Sequence, residues 1–170
     1  MAESAHDSAP IGFLRGVYQI IYEDGREMGF QIRGCKNGKE GKRMIRESFN
    51  QGWTVGPNTG FFNMAPGEPP KQVTLPHDAM IMRQREAQAA SGGKKGYFPD
   101  GTYDYVKKFY VPADYKDKRV TFEFEGVYMN AMVYINGAFA GQHPYGYSNF
   151  YIKADNFLKY DAENEIKVVV

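Results

Sequence analysis

Three runs in the second half of the chain alternate apolar and polar residues with a period of two. Val120, Phe122 and Phe124 alternate with Thr121, Glu123 and Glu125. Ala131, Val133 and Ile135 share one face of the next run, and Ile166, Val168 and Val170 share one face of the last. A period of two gathers alternate side chains on one side of an extended strand, whereas a helix would scatter them. Each run therefore reads as a half-buried strand. Several such strands need a second layer over their apolar face, and a two-sheet β-sandwich supplies it. Asn136-Gly137 follows the second run and suits a tight hairpin, with Phe139 leading back out. A fourth strand runs from Tyr103 to Val111, with Tyr105, Lys107 and Phe109 on the same face, and Pro112 ends it. The expected core is Phe109, Val120, Phe122, Phe124, Val133, Ile135, Ile166 and Val168.

A chain of 170 residues can bury a core of this kind, and its 15% aromatic content with 19 glycines and 9 prolines suits strands joined by turns. The formal net charge of +1 gives no reason to expect a polyanionic partner such as nucleic acid. The one basic run, Lys36 to Arg46, is broken by Gly38 and Gly41 and reads as a solvated linker. Cys35 is the only cysteine, so no intrachain disulfide can form. Residues 1–10 lack the apolar segment of a secretory signal, and no apolar run has the length to cross a membrane. These features fit a reduced, cytoplasmic setting. His6, His77 and His143 are too widely spaced for a zinc site, and no metal or cofactor is expected.

The first 43 residues look different. Phe13 to Ile21 and Met28 to Ile32 are short apolar pieces around Asp24-Gly25, which suggests a hairpin followed by a polar linker. The sequence predicts an irregular extension over 1–43 and a sandwich domain over 44–170. Within the latter, Val73 to Leu75 reads as a strand. Asp78 is placed to cap a helix from Ala79 to about Ala90, which Ser91-Gly92-Gly93 would stop. The alternation runs to Val170 with no closing turn, which reads as a truncated strand with an open edge.

Five blocks in order resemble the N-terminal sugar-binding domain of glycoside hydrolase family two, the β-galactosidase and β-glucuronidase family. They are "ESFNQGWTV" at 47–55, "VTLPHD" at 73–78, "GYFPDGTYDYVKKFYVP" at 96–112, the run Val120 to Phe150, and "NFLKYDAENEIKVVV" at 156–170. Ala79, Asp100, Asp104 and Val106 depart from the family's usual residues. The resemblance implies a galactose-binding-domain-like jelly roll. It also implies a parent hydrolase that acts on O-glycosidic bonds of a carbohydrate substrate. That parent would continue into an immunoglobulin-like domain and a barrel with two catalytic glutamates. A stand-alone carbohydrate-binding module without hydrolase activity is the alternative.

A retaining glycosidase needs two carboxyl groups about 5 Å apart across the scissile bond. Glu123 and Glu125 alternate with core residues and read as plain strand surface, so no catalytic residue is assigned. Asn164-Glu165 matches the dipeptide that holds the family's acid/base glutamate, but it lies in the turn before the last strand. Six residues stand out for contact with carbohydrate or a neighbouring domain. His77 and Asp78 come from "PHD". His143, Tyr145, Tyr147 and Asn149 come from "GQHPYGYSNF", a loop that offers the aromatic and hydrogen-bonding groups a pyranose requires. Trp53 reads as core. Phe62, Tyr97 and Tyr145 are the rings most expected to be exposed.

Overall fold

In the computed structural model, the residues described are 13–22, 44–58, 69–89, 92–98 and 101–170. They form twelve strands: β1 (Phe13–Leu14), β2 (Val17–Tyr22), β3 (Met44–Ser48), β4 (Trp53–Pro57), β5 (Lys71–Val73), β6 (His77–Asp78), β7 (Tyr103–Val111), β8 (Arg119–Phe124), β9 (Ala131–Ile135), β10 (Ala138–His143), β11 (Phe150–Lys153) and β12 (Ala162–Val169). A six-stranded sheet has the order β10-β9-β12-β7-β4-β5, and a four-stranded sheet the order β11-β8-β2-β3. Short β1 and β6 pair with each other. Neighbouring strands are antiparallel throughout.

The two sheets face each other as a jelly-roll sandwich. Their alternating residues meet in one core that includes Val120, Phe122 and Phe124 from β8 with Val133, Ile135, Ile166 and Val168 from the facing sheet, all fully buried. Phe109 is half-buried at its margin. Phe49 locks the layers together. Its ring lies 5.0 Å from Phe122, 5.1 Å from Phe109 and 6.0 Å from Trp53. Trp53 is fully buried and donates from Nε1 to the Phe49 carbonyl at 2.8 Å.

The expected boundary near residue 43 needs correction for residues 13–22. β2 is an inner strand, paired with β8 on one side and β3 on the other. Its neighbours Gln19, Ile20 and Ile21 are all buried, so both faces are covered and the two-residue alternation that flags a half-exposed strand is absent. The hairpin around Asp24-Gly25 lies outside the described residues.

The helix expected from Ala79 to Ala90 is a single 3-10 turn, Ala79–Met82. Asp78 caps it as expected, accepting from the Met80 N–H at 2.8 Å. Residues 83–88 are exposed, and a short helix with no apolar face to bury is marginal in water. The open edge expected at the last strand is also corrected. β12 lies between β7 and β9, and Val170 exchanges two backbone hydrogen bonds with Tyr103. Asn136 and Gly137 adopt φ of 51° and 80°, the left-handed pair of the expected hairpin turn. Asn164, almost fully buried, ties that corner down: its amide donates to the Lys159 and Ala162 carbonyls and its oxygen accepts from Asn136 and Lys159 N.

Candidate functional site

The six-stranded sheet ends at β5. At that end β4 and β5 meet the irregular segment His77–Arg83, and a cleft of about 170 Å³ remains between them. Val55, Pro57 and Pro69 supply apolar wall, while Lys71, His77, Arg83 and Tyr103 supply the polar groups. Antiparallel register explains the grouping: Val55 lies opposite both Lys71 and Tyr105, and Pro57 lies opposite Tyr103.

The pairing of β6 with β1, Leu14 opposite His77, sets His77 in place. Its Nδ1 lies 2.9 Å from the hydroxyl of Tyr105, whose ring it meets edge-on. Tyr105 is fully buried, and that burial raises its pKa well above the usual range. Burial lowers the pKa of His77 against the opposing pull of Asp78, so the ring is neutral near pH 7. Burial raises the carboxyl of Asp78, partly offset by the Met80 amide it caps. His77 and Asp78 thus answer to different partners, one a tyrosine and the other a backbone amide. Arg83 donates from Nε to the Tyr103 hydroxyl at 3.0 Å.

The second group of expected residues follows β10. His143 stacks on Phe150 at 4.5 Å, and Phe150 stacks on Phe124 at 4.6 Å, so the ring is anchored to the core. Its Nε2 lies 2.9 Å from Ser148 Oγ, closing the loop on itself. Tyr145 and Tyr147 stand 59% and 64% exposed with rings 5.8 Å apart, and Asn149 is exposed beside them. Tyr97 is also exposed, while Phe62 lies outside the described residues. The structure does not merge the two groups into one cluster. Between them run Phe13–Arg15 and Gly126–Asn130, joined by the Leu14–Val127 bridge and by the Tyr128 N–H to Phe13 carbonyl bond. All of these segments nevertheless share one rim of the sandwich.

Two features escaped the sequence reading. Glu123 is not plain surface: it is only 7% exposed. Arg46 Nε reaches its Oε2 at 2.6 Å, and Tyr151 donates to its Oε1 at 3.1 Å. The Arg46 guanidinium also sits 3.4 Å above the Tyr18 ring and reaches Glu125 at 3.5 Å. One row of side chains thus straps β11, β8, β2 and β3 together. Arg46 therefore belongs to β3, paired with β2, and not to a solvated linker. The second feature is Lys107, which sits on the inner face of β7. Its Nζ donates to the Phe49 carbonyl at 2.9 Å and lies 3.5 Å from the Phe49 ring centre. Burial pushes its pKa down to about 8.

The comparisons with known proteins agree with this geometry. No family model matches the chain. A β-galactosidase from Bacteroides ovatus is 35% identical over 128 residues, which cover 74% of this chain and 15% of that protein. A β-glucuronidase from Bacteroides fragilis is 34% identical over 98 residues, covering 58% of this chain and 13% of that protein. Among solved structures, a glycosyl hydrolase family 2 member from Bacteroides cellulosilyticus matches 73% of this chain and 17% of its own, with 30% identity and a TM-score of 0.62. The chain carries a jelly-roll domain of glycoside hydrolase family 2. A β-glycosidase from Bacteroides vulgatus matches 72% of this chain and 16% of its own at the same identity and TM-score.

This family-2 domain spans about 15% of the length of the B. ovatus relative it matches. Its two expected surface glutamates are joined to one arginine, Glu123 most tightly. Asn164 of the Asn164-Glu165 pair spends its amide on backbone groups of its own corner. Among the described residues, no group of three or more His, Cys, Asp or Glu side chains is arranged to hold a metal ion. No helix there is long and apolar enough to cross a membrane.

Proposed function

We propose that this chain is the non-catalytic sugar-binding domain of a multidomain glycosidase that hydrolyses O-glycosidic bonds, with β-galactosides or β-glucuronides as its substrate class. One observation carries the reading: relatives named β-galactosidase and β-glucuronidase match most of this chain with only a small part of themselves. The sandwich would position carbohydrate and brace a catalytic barrel reached through an immunoglobulin-like domain. The rim that holds His143, Tyr145, Tyr147 and Asn149 is the proposed contact, since its two exposed rings give a platform for a sugar or for a neighbouring domain. His77 and Asp78 act there by shaping the segment behind it. The same exposed pair of rings supports the second reading, a stand-alone carbohydrate-binding module.

Chromogenic β-galactoside and β-glucuronide substrates test the first reading. The purified chain should release no chromophore above a buffer control. Release that disappears with Glu123→Gln or Glu125→Gln would overturn the non-catalytic assignment. Fusing the chain to the catalytic remainder of a family-2 relative that lacks its own first domain should restore turnover.

A further inference from the structure

We propose that Asn136 is a site of non-enzymatic covalent modification, conversion to aspartate or isoaspartate through a ring closed with Gly137, and that the buried side chain of Asn164 holds this site shut in the folded chain. The site lies at the far end of β10 from His143, apart from the tyrosine rim and from the cleft.

Asn-Gly is the dipeptide in which this chemistry meets least hindrance, because glycine puts no side chain beside the attacking backbone nitrogen. The Gly137 nitrogen gives up its proton and bonds to Asn136 Cγ. The Cγ–Nδ2 bond breaks and ammonia leaves. Water then opens the five-membered imide at one of its two carbonyls. One opening gives aspartate; the other gives isoaspartate, with the backbone rerouted through the side chain. Water is the only co-reactant, and nothing is oxidised or reduced.

The hairpin turn is open on one side and closed on the other. Gly137 is exposed, and nothing lies within 4 Å of the position a side chain there would take. The backbone side therefore has room for ring closure and for water. The side-chain side is pinned. Asn136 Nδ2 donates to the Phe157 carbonyl and to Asn164 Oδ1, both at 2.7 Å, and its Oδ1 accepts from the Glu165 N–H at 3.0 Å. All three bonds need the amide planar and in place. Attack makes Cγ tetrahedral and sends Nδ2 away, so the reaction cannot proceed while they hold.

Asn164 can pin its neighbour because it is itself fixed. It is 1% exposed. Its Nδ2 donates to the Lys159 and Ala162 carbonyls at 2.7 and 3.1 Å, and its Oδ1 also accepts from the Lys159 N–H at 2.7 Å. Only an acceptor faces Asn136. The same polarity rejects the product. A carboxylate at 136 sets an oxygen against the Phe157 carbonyl and Asn164 Oδ1, both acceptors. Asn164 cannot turn its nitrogen toward it without releasing two carbonyls. Modification therefore runs one way. It loosens the corner that ties the β9–β10 turn to residues 157–165, beside the fully buried Ile135 and Ile166.

The test is timed incubation of the full chain at mildly alkaline pH, followed by digestion and mass spectrometry. Peptide mapping separates Asn136 from the second Asn-Gly pair, Asn37-Gly38, which lies outside the described residues. The folded chain should modify Asn136 at least about tenfold more slowly than a peptide of residues 134–139, since the site reacts only through openings of the corner. Asn164→Ala, with its unfolding transition retained, should raise the folded chain's rate by about tenfold or more. Val120→Ala, which weakens the core without touching the corner, should raise it far less. Equal acceleration by the two variants would show that only global unfolding exposes the site, and would overturn the gate. An unchanged rate in folded Asn164→Ala, or a native rate equal to the peptide's, would overturn it as well. Should Asn164→Ala fail to fold, the native chain in urea below its transition decides. Modification should follow hydrogen exchange of the Glu165 amide, which donates to Asn136, and a rate that follows global unfolding instead would contradict the proposal. Asn136→Asp makes the product directly and should lower the denaturation midpoint; an unchanged midpoint would overturn the one-way loosening.

Discussion

The two ends of the six-stranded sheet are built differently. Toward one end β7 and β12 run eight residues side by side, and β12 pairs on its other side with β9, which leads to β10. Ala131, Val133 and Ile135 of β9 and Ile166 and Val168 of β12 are fully buried under the four-stranded sheet, while Lys107 and Phe109 of β7 are half-buried at its margin. At the other end β4 and β5 pair over three residues only, and the cover is a 3-10 turn and an irregular segment. The long-register end holds the fold. The short-register end leaves space and polar groups in it, and there the candidate cleft lies. Regular pairing leaves little room for a ligand, since every inward position is filled by a neighbour. Irregular cover does not fill its space, and that is where binding groups can gather.

The sharpest way to break this comparison is to remove β2. Deleting residues 1–43, which the sequence alone would trim as an extension, takes an inner strand from between β8 and β3. The shortened chain should show no cooperative unfolding transition by circular dichroism. A retained sharp transition would mean that the four-stranded sheet closes without it. Next in size is Phe122→Ala, at the centre of the regular half. It should cost about 3–5 kcal/mol in denaturant unfolding, from lost transfer energy and a cavity. A loss below about 1 kcal/mol would place the ring outside the core.

Smaller effects sharpen the picture on the outer face. Arg46→Ala leaves the buried Glu123 carboxylate with the Tyr151 hydroxyl as its remaining partner. It should cost about 2 kcal/mol, moderated because the arginine is partly exposed. Glu123→Gln should cost less, because it removes the charge that needs a partner. A cost near zero for Arg46→Ala would show that water reaches Glu123 freely.

Lys107 gives the mildest effect and a defined sign. Burial holds its folded pKa at about 8, below the value near 10.4 of an unfolded lysine. Between these values the unfolded chain binds more protons than the folded one, so stability rises with pH across that window. Buried tyrosines such as Tyr105, shifted upward, act the opposite way above about pH 10. The denaturation midpoint should therefore rise from pH 8 to pH 9.5 in the native chain relative to Lys107→Met. A flat difference would mean that Lys107 keeps its charge in water.

The sequence made the regular half legible because its strands are half-buried and alternate. Val120 to Phe124, Ala131 to Ile135 and the Asn136-Gly137 turn could be placed without coordinates. β2 was not legible, since Gln19, Ile20 and Ile21 are buried in succession and a run of that kind has no period. Glu123 looked like surface for a related reason: alternation shows that a residue points away from the core, but not what covers it there. Arg46 and Tyr151 arrive from strands far apart in sequence. The site is legible only in pieces. "PHD" and the His143 loop could be singled out by residue type, and Asp78 could be named as a cap. Lys71, Arg83 and Tyr103 could not be joined to His77, because only the register of β4 with β5 and β7 brings them to one cleft.

Amide hydrogen exchange at native conditions tests the division between the two halves most directly. Amides of β2, β7, β8, β9 and β12 should exchange only through global unfolding. Those of β5, the His77–Arg83 segment and the His143–Asn149 loop should exchange through local openings of lower free energy. Uniform protection across both groups, or β2 exchanging as fast as the rim, would contradict the account.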